Sequence, residues 1–298
     1  MYSIKSWLSV IMLFCHTKYS VGDSFEERAI SAVSLVERNL HINACIQNAS
    51  TKAKQFYPTG TRYYAVLWIS MYSRDCFINK DLLPKDKENR FPYRLNKELR
   101  CQNFSQRDPH IRSIFITVSN IINDALAIFF SQPYNQLFRG VAMDWPYADR
   151  TKFVEEGFFS CSTDVNPALN FASGNILLII KELRGVYIAD YVQEKFAYQK
   201  EVLGTTVKMF LIEGKVSDEA EINTTMSKLP VNRALHPNNP KEIMYVRQVY
   251  SPSREEIDAV IKEQDTLNEA YCSAACRVNS VMLHICSLLA LLHAISAV

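Results

Sequence analysis

Glycine is scarce, with 8 in 298 residues. Neither G-x-G-x-x-G nor G-x-x-x-x-G-K-[ST] occurs, so no glycine-rich loop is available to cradle a phosphate. An excess of one charge is lacking as well. The chain has 33 basic and 31 acidic residues, a net of +2, and no field singles out nucleic acid or an acidic substrate. A nucleic-acid partner is therefore not expected. No histidine lies at ligand spacing from the cysteines, so a zinc or other metal site is not expected either. Internal repeats and low-complexity linkers are absent. The length would accommodate one large domain or two small ones; without a linker, one is the better reading, and the expected state is a monomer.

Long hydrophobic runs occur at the two ends. At the start, Lys5 precedes an apolar run from Trp7 to Cys15, and Ser20-Val21-Gly22 offers small residues for cleavage. The run is too short to span a bilayer, so residues 1–22 read as a secretory signal peptide. At the other end, residues 281–298 form a greasy tail. Before it stand the triplet Ser273-Ala274-Ala275 and a polar spacer from Cys276 to Ser280. This pattern directs exchange for a GPI anchor, with attachment at Ser273 and removal of 276–298. A terminal membrane helix is the alternative. Either way the expectation is a chain in the secretory pathway, held at the cell surface or secreted. Cys45, Cys76, Cys101, Cys161, Cys272 and Cys276 remain between the two end segments, an even six that suggests disulfides without choosing among pairings. Cys45, Cys76, Cys101, Cys272 and Cys276 are the disulfide candidates. Asn48, Asn103 and Asn223 stand in glycosylation sequons.

Between the ends, residues 23–275 change character midway. Ser24 and Glu27 form a capping box ahead of Phe25, Ala29, Val33, Val36 and Leu40 at helical spacing. Residues 62–73 read equally as buried helix or strand, and 80–100, charged and proline-containing, as a loop or exposed connection. Apolar residues from Ile111 to Phe129 recur at three- and four-residue steps, with Pro109 in the first turn, which predicts an amphipathic helix over 108–130. After Pro133, short apolar runs alternate with turn residues: 136–141, 157–160, 175–181, 185–189, 202–203, 207–213 and 244–250. A short helix is expected over 164–174, with Leu169, Phe171 and Ala172 facing inward. Another begins near Ser253 and Glu256. A helical front half leading into a β-rich back half makes the fold class α+β.

Three features stand in order through the β-rich half. Leu137-Phe138-Arg139-Gly140 puts an arginine on an apolar strand, which is costly unless its planar fork meets an anion. Phe158-Phe159-Ser160-Cys161-Ser162-Thr163 is a hydroxyl-rich strand end. Gln199 and Glu201 lie two apart, on one face if the chain there is extended. Taken singly, each has a plainer explanation: an ion-paired surface arginine, turn chemistry before Asp164, a solvated carboxylate.

As an ordered set the three resemble the signature of the mono-ADP-ribosyltransferases of the cholera-toxin-like group, particularly the GPI-anchored ectoenzymes. That signature is Arg, then aromatic-x-Ser-x-Ser, then Glu- or Gln-x-Glu. Residues 175–181 and 185–190 resemble the strands before the family's catalytic loop, and Glu201-Val202-Leu203 its glutamate entering the next strand. The resemblance implies a helical N-terminal half packed on a β-sandwich core of the ADP-ribosyltransferase type, with NAD as substrate and a protein acceptor. It implies that Glu201 stabilises an oxocarbenium-like transition state, that Ser160 orients it with Ser162 in support, and that Arg139, next to Gly140, holds the pyrophosphate. Arg139, Gly140, Ser160 and Ser162 are thus the expected cofactor-binding positions. Phe158 and Tyr187 are candidates to pack near nicotinamide. Gln199 and Tyr198, with Phe196, fall on the acceptor side. Arginine-modifying relatives have an acidic residue where this chain has Gln199. An amide cannot neutralise a guanidinium, and Lys200 adds positive charge, so an arginine acceptor is in question. Glu194 supplies a carboxylate there only if the loop folds back. Transfer to a protein, hydrolysis of NAD, and an inactive anchored binding protein are the three readings.

Overall fold

The computed structural model describes residues 24–78, 89–101, 109–129, 131–142 and 149–265. The segment expected to be a signal peptide, the C-terminal stretch with Cys272, Ser273 and Cys276, and Asn103 lie outside the described residues. Asn48 and Asn223 are exposed on helices.

Among the described residues the front half is a layer of five helices: α1 (Phe25–Leu40), α2 (Asn43–Lys54), α3 (Thr61–Tyr72), α4 (Phe91–Arg100) and α5 (Pro109–Ile128). The predicted capping box closes the start of α1. Ser24 accepts from the Glu27 amide, and Glu27 accepts from the Ser24 amide at 2.8 Å. The ambiguous stretch 62–73 is α3. From Ala65 to Tyr72 every residue is buried, and a helix covered on all sides has no amphipathic period to read. The expected connection at 80–100 is corrected: α4 occupies its second half, with Pro92 in the first turn, where a missing N–H costs nothing. Its charged residues misled the reading, because Lys97 and Glu98 are buried.

The back half is one nine-stranded mixed sheet in the order β1-β6-β7-β4-β2-β5-β9-β8-β3. The strands are β1 (Gln132–Tyr134), β2 (Leu137–Val141), β3 (Lys152–Glu155), β4 (Phe159–Ser162), β5 (Ile176–Lys181), β6 (Leu183–Tyr187), β7 (Glu201–Gly204), β8 (Lys208–Val216) and β9 (Glu242–Gln248). Pairing is antiparallel except between β5 and β9. The sheet folds over on itself. Phe159 of β4 packs on Phe210 of β8, four strands along the ladder, with ring centroids 4.3 Å apart. Val202, Leu178, Val246 and Ile212 share that enclosed core. A second cluster fills the outer face of β2 and β5 under α6 (Val165–Ala172) and α8 (Glu219–Ser227), while α7 (Glu194–Ala197) is a single turn ahead of β7. Asp164 caps α6, and Leu169 and Ala172 are buried as expected, but Phe171 is corrected to an exposed position at 49%.

The last described helix, α9 (described over 254–265), reaches the edge of the sheet. Gln264 accepts from the Val154 amide at 2.6 Å and donates to the Val154 carbonyl at 3.0 Å, pairing its side chain with β3 as a neighbouring strand would. Cys45 and Cys76 form a disulfide between α2 and the segment after α3, and Cys101 is disulfide-bonded as well. Cys161, which is not among the disulfide candidates, is free and buried, so the six cysteines do not all pair. It lies on β4 inside the enclosed core.

Gly140 fixes how closely α6 approaches β2. A Cβ there would fall 1.9 Å from the Ala168 carbonyl oxygen and 2.2 Å from the Ala172 nitrogen, both backbone atoms that cannot swing aside. Gly140→Ala is expected to lower the unfolding free energy in urea by about 3 kcal/mol, whereas Gly214→Ala, whose Cβ would meet Tyr245 at an ordinary 3.8 Å, costs less than about 1 kcal/mol.

Candidate functional site

Where the helical layer meets the sheet there is a cavity of about 770 Å³, within the range of small-molecule and cofactor sites. The three sequence features converge on it: Arg139, Gly140, Ser160, Ser162, Gln199 and Glu201 all line it.

The register of β4 against β7 makes the central contact. Ser162 stands opposite Glu201 and Ser160 opposite Leu203, so Ser160 and Glu201 are diagonal neighbours. Ser160 Oγ donates to Glu201 Oε1 at 2.5 Å. Glu201 is only 8% exposed, so it is not one more surface carboxylate. Burial pushes its carboxyl above the usual range, opposed by the Ser160 hydrogen bond and the charge of Arg139.

Arg139 lies on β2, the other neighbour of β4. Its Nη1 donates to the Ser160 carbonyl at 3.3 Å, and its guanidinium carbon sits 4.5 Å from the centroid of Phe159. Its Nη2 is 3.7 Å from Glu155 Oε2. Glu155, at the end of β3, is a residue the sequence reading missed. It accepts two hydrogen bonds from Arg100 of α4, at 2.7 and 3.1 Å, and one from the Gly157 amide at 2.9 Å. Burial by itself would raise its carboxyl, but Arg100, Arg139 and the Gly157 amide outweigh that and hold it low. A run of two glutamates before Gly157 carried no signal beyond surface charge.

The helical layer supplies more that the sequence left unassigned. The Phe158 amide donates to Asn96 Oδ1 at 2.8 Å, and Asn96 Nδ2 donates to Tyr72 Oη at 3.0 Å. The Tyr72 hydroxyl therefore keeps its own proton for a partner within the cavity it lines. Burial, with the charge of Glu201, raises the Tyr72 phenol.

Other expectations are corrected. Gln199 and Glu201 are not on one extended stretch: Gln199 follows the turn of α7, and Lys200 has a left-handed φ of 46°. Both side chains nonetheless reach the cavity. Ser162 donates to the Gln199 carbonyl at 2.6 Å and accepts from the Asp164 amide at 2.9 Å, so its hydroxyl braces the turn. Phe158 is fully buried against Tyr72 and does not line the cavity; nor does Tyr187. Glu194 and Tyr198 are exposed and outside it, whereas Phe196 lines it. Lys195 pairs with Asp75 at 3.1 Å and Lys200 with Asp164 at 3.0 Å, pinning the segment that carries Gln199 at both ends.

Comparison of the sequence with protein-family models and with curated proteins gives no match. Solved structures do match. The eukaryotic mono-ADP-ribosyltransferase ART2.2 superposes with a TM-score of 0.51 over 77% of this chain and 88% of its own, at 14% identity. Exoenzyme S from Pseudomonas aeruginosa, in a structure bound to carba-NAD, gives 0.48 over 78% and 96%, also at 14% identity. The ADP-ribosyltransferase HopU1 of Pseudomonas syringae gives 0.44 over 78% and 90%, at 14%. The likeness to ART2.2 establishes that the chain has the ADP-ribosyltransferase fold.

Beside the cavity, Glu156 is raised to about 8 by burial, then by the charges of Asp265 and Glu155, with Arg100 opposing. A carboxyl raised in the folded state contributes stability that is full below its unfolded value and lost as pH climbs through about 8. The melting temperature is expected to fall between roughly pH 5 and roughly pH 9, and Glu156→Gln to flatten that fall, as read by thermal unfolding across the range.

Proposed function

We propose that the chain is an NAD-dependent mono-ADP-ribosyltransferase that moves ADP-ribose from NAD to a protein side chain and releases nicotinamide. The observation that carries this reading is the buried Glu201, held by Ser160 on the wall of a dinucleotide-sized cavity that Arg139 also lines. The fold shared with ART2.2 supports it.

The chemistry follows from charge. The bond between ribose C1 and the pyridinium nitrogen breaks, its electron pair returns to the nicotinamide ring, and positive charge develops on the ribose. An ionised Glu201 beside that ribose stabilises the transition state more than the ground state, and the low-dielectric wall strengthens the effect. Ser160 holds the carboxylate in place. The planar fork of Arg139 suits a pyrophosphate oxygen pair in a chain that lacks a glycine-rich loop. The acceptor then attacks C1 and loses its proton. The cavity needs no metal for these steps.

Gln199 decides the acceptor. An amide can hold a hydroxyl, a carboxamide or a water by hydrogen bonds, but it leaves a guanidinium uncompensated. Glu194 does not make good the missing carboxylate, since it is exposed outside the cavity. A neutral acceptor is therefore favoured over arginine. The same observation favours a second reading, NAD glycohydrolysis with water as acceptor. We propose also that the chain is exported and held at the cell surface by a GPI anchor. The Cys45–Cys76 disulfide is in keeping with an oxidising compartment.

Labelled NAD separates these readings. Transfer of label to protein supports the first and nicotinamide release without transfer the second. Intact NAD on prolonged incubation overturns both and leaves an inactive binding protein. Glu201→Gln is expected to slow nicotinamide release by about 100- to 1,000-fold and Ser160→Ala by roughly tenfold. Because Glu201 titrates above the usual carboxylate range, kcat/KM is expected to rise with pH along an acid limb displaced upward by the same cause. Gln199→Glu is expected to gain label on arginine in a polyarginine acceptor. An unchanged acceptor profile would show that Gln199 does not set the choice.

A further inference from the structure

Glu155 is an unusual occupant for the wall of a cavity read as an anion site. It is buried, it carries a negative charge, and it lies between two guanidinium groups that reach it from different layers of the fold. Arg100 comes from helix α4 and Arg139 from strand β2. The two contacts are unequal. Arg100 grips both carboxylate oxygens, at 2.7 and 3.1 Å, while Arg139 approaches one of them at 3.7 Å. The Gly157 amide holds the first oxygen from the strand side at 2.9 Å, and a Cβ on Gly157 would stand 3.1 Å from it. Glu155 is thus fixed on two sides and cannot follow Arg139 if that side chain turns.

Arg139 is constrained on three sides in consequence. Phe159 supports one face of the guanidinium, the Ser160 carbonyl takes Nη1, and Glu155 draws Nη2. A guanidinium has five N–H donors, so these contacts orient the group without using up its fork. An arginine on a flexible stem would otherwise lose several rotors on binding an anion, at a cost in side-chain entropy.

We propose that Glu155 is a positioning residue for pyrophosphate binding: it holds Arg139 in the orientation that receives the diphosphate, and through Arg100 it ties that orientation to helix α4. Glu155 does not touch the reacting atoms. The inference rests on the NAD reading above and adds to it a residue outside the three motifs. Its sign is counter-intuitive, because removing a negative charge from the wall of an anion site is expected to weaken the anion.

The test compares ligands that differ in the diphosphate. KM for NAD, kcat for nicotinamide release, and inhibition constants for ADP-ribose and for free nicotinamide are measured in the native protein, Glu155→Gln and Glu155→Asp. Glu155→Gln is expected to raise KM for NAD and the ADP-ribose constant about tenfold each. The nicotinamide constant should stay within about twofold and kcat within about threefold. Glu155→Asp, which keeps the charge on a shorter stem, should recover part of the loss. Should Glu155→Gln fail to fold, the pair Arg100→Gln with Glu155→Gln removes the ion pair as a unit and carries the same expectation. An unchanged or tighter ADP-ribose constant overturns the proposal. So does a parallel loss for ADP-ribose and nicotinamide, which would make Glu155 a structural support only. If the native protein neither cleaves NAD nor binds ADP-ribose, the NAD reading itself fails, a result visible before any variant is made.

Discussion

The hydrogen bond from Ser160 to Glu201 exists only in one register of β4 against β7, and the organisation of the cavity depends on that register. A slip of one residue would turn Glu201 to the opposite face of the strand. Several contacts pin the alignment from the turn side. Ser162 bonds the Gln199 carbonyl, and the Thr163 amide bonds that of Lys200. Farther back, Tyr191 lies between Phe56 and Phe129, with centroids 5.1 and 5.0 Å away, so the segment before β7 is anchored on the helical layer. Ser162, expected to support Ser160, does so by holding the strand and turn in register.

Burying a carboxylate is costly without compensation, and the molecule compensates in two different ways. Glu201 has a neutral hydroxyl as its closest partner, which leaves its charge available to a developing cation and its carboxyl shifted upward. Glu155 has two guanidinium groups and a backbone amide, which use up its charge and shift it downward. Two glutamates lining one cavity are driven apart in character by their neighbours alone. The difference separates a group fitted to meet a transition state from a group fitted to hold others still.

Much of this was legible in the sequence. Alternating apolar runs marked seven of the strands, and spacing marked α1, α5 and α6. The ordered motifs brought Arg139, Ser160 and Glu201 to one cavity. What was not legible has a common cause. Residues that act through a partner distant in sequence carry no local period: Glu155 with Arg100, Asn96 with Tyr72, Gln264 with Val154. Helix α4 was hidden because two of its charged residues, Lys97 and Glu98, are buried, and α3 because it is buried on every side. Phe171 was misplaced for the opposite reason. Its hydrophobicity pointed inward, but it is exposed where α6 lines the cavity, and pattern alone does not distinguish a core from a rim.

The pairing of Gln264 with Val154 bears on how the chain is completed during synthesis. Strand β3, which carries Phe153, Val154 and Glu155 along one side of the cavity, is the last in its ladder among the described residues. A single carboxamide, presenting one acceptor and one donor, satisfies the outward N–H and C=O of Val154 in place of a neighbouring strand. That carboxamide follows every strand among the described residues. A polypeptide leaving the ribosome with its sheet already formed would still have an open edge beside its site for the sixteen or so residues between Gln248 and Gln264.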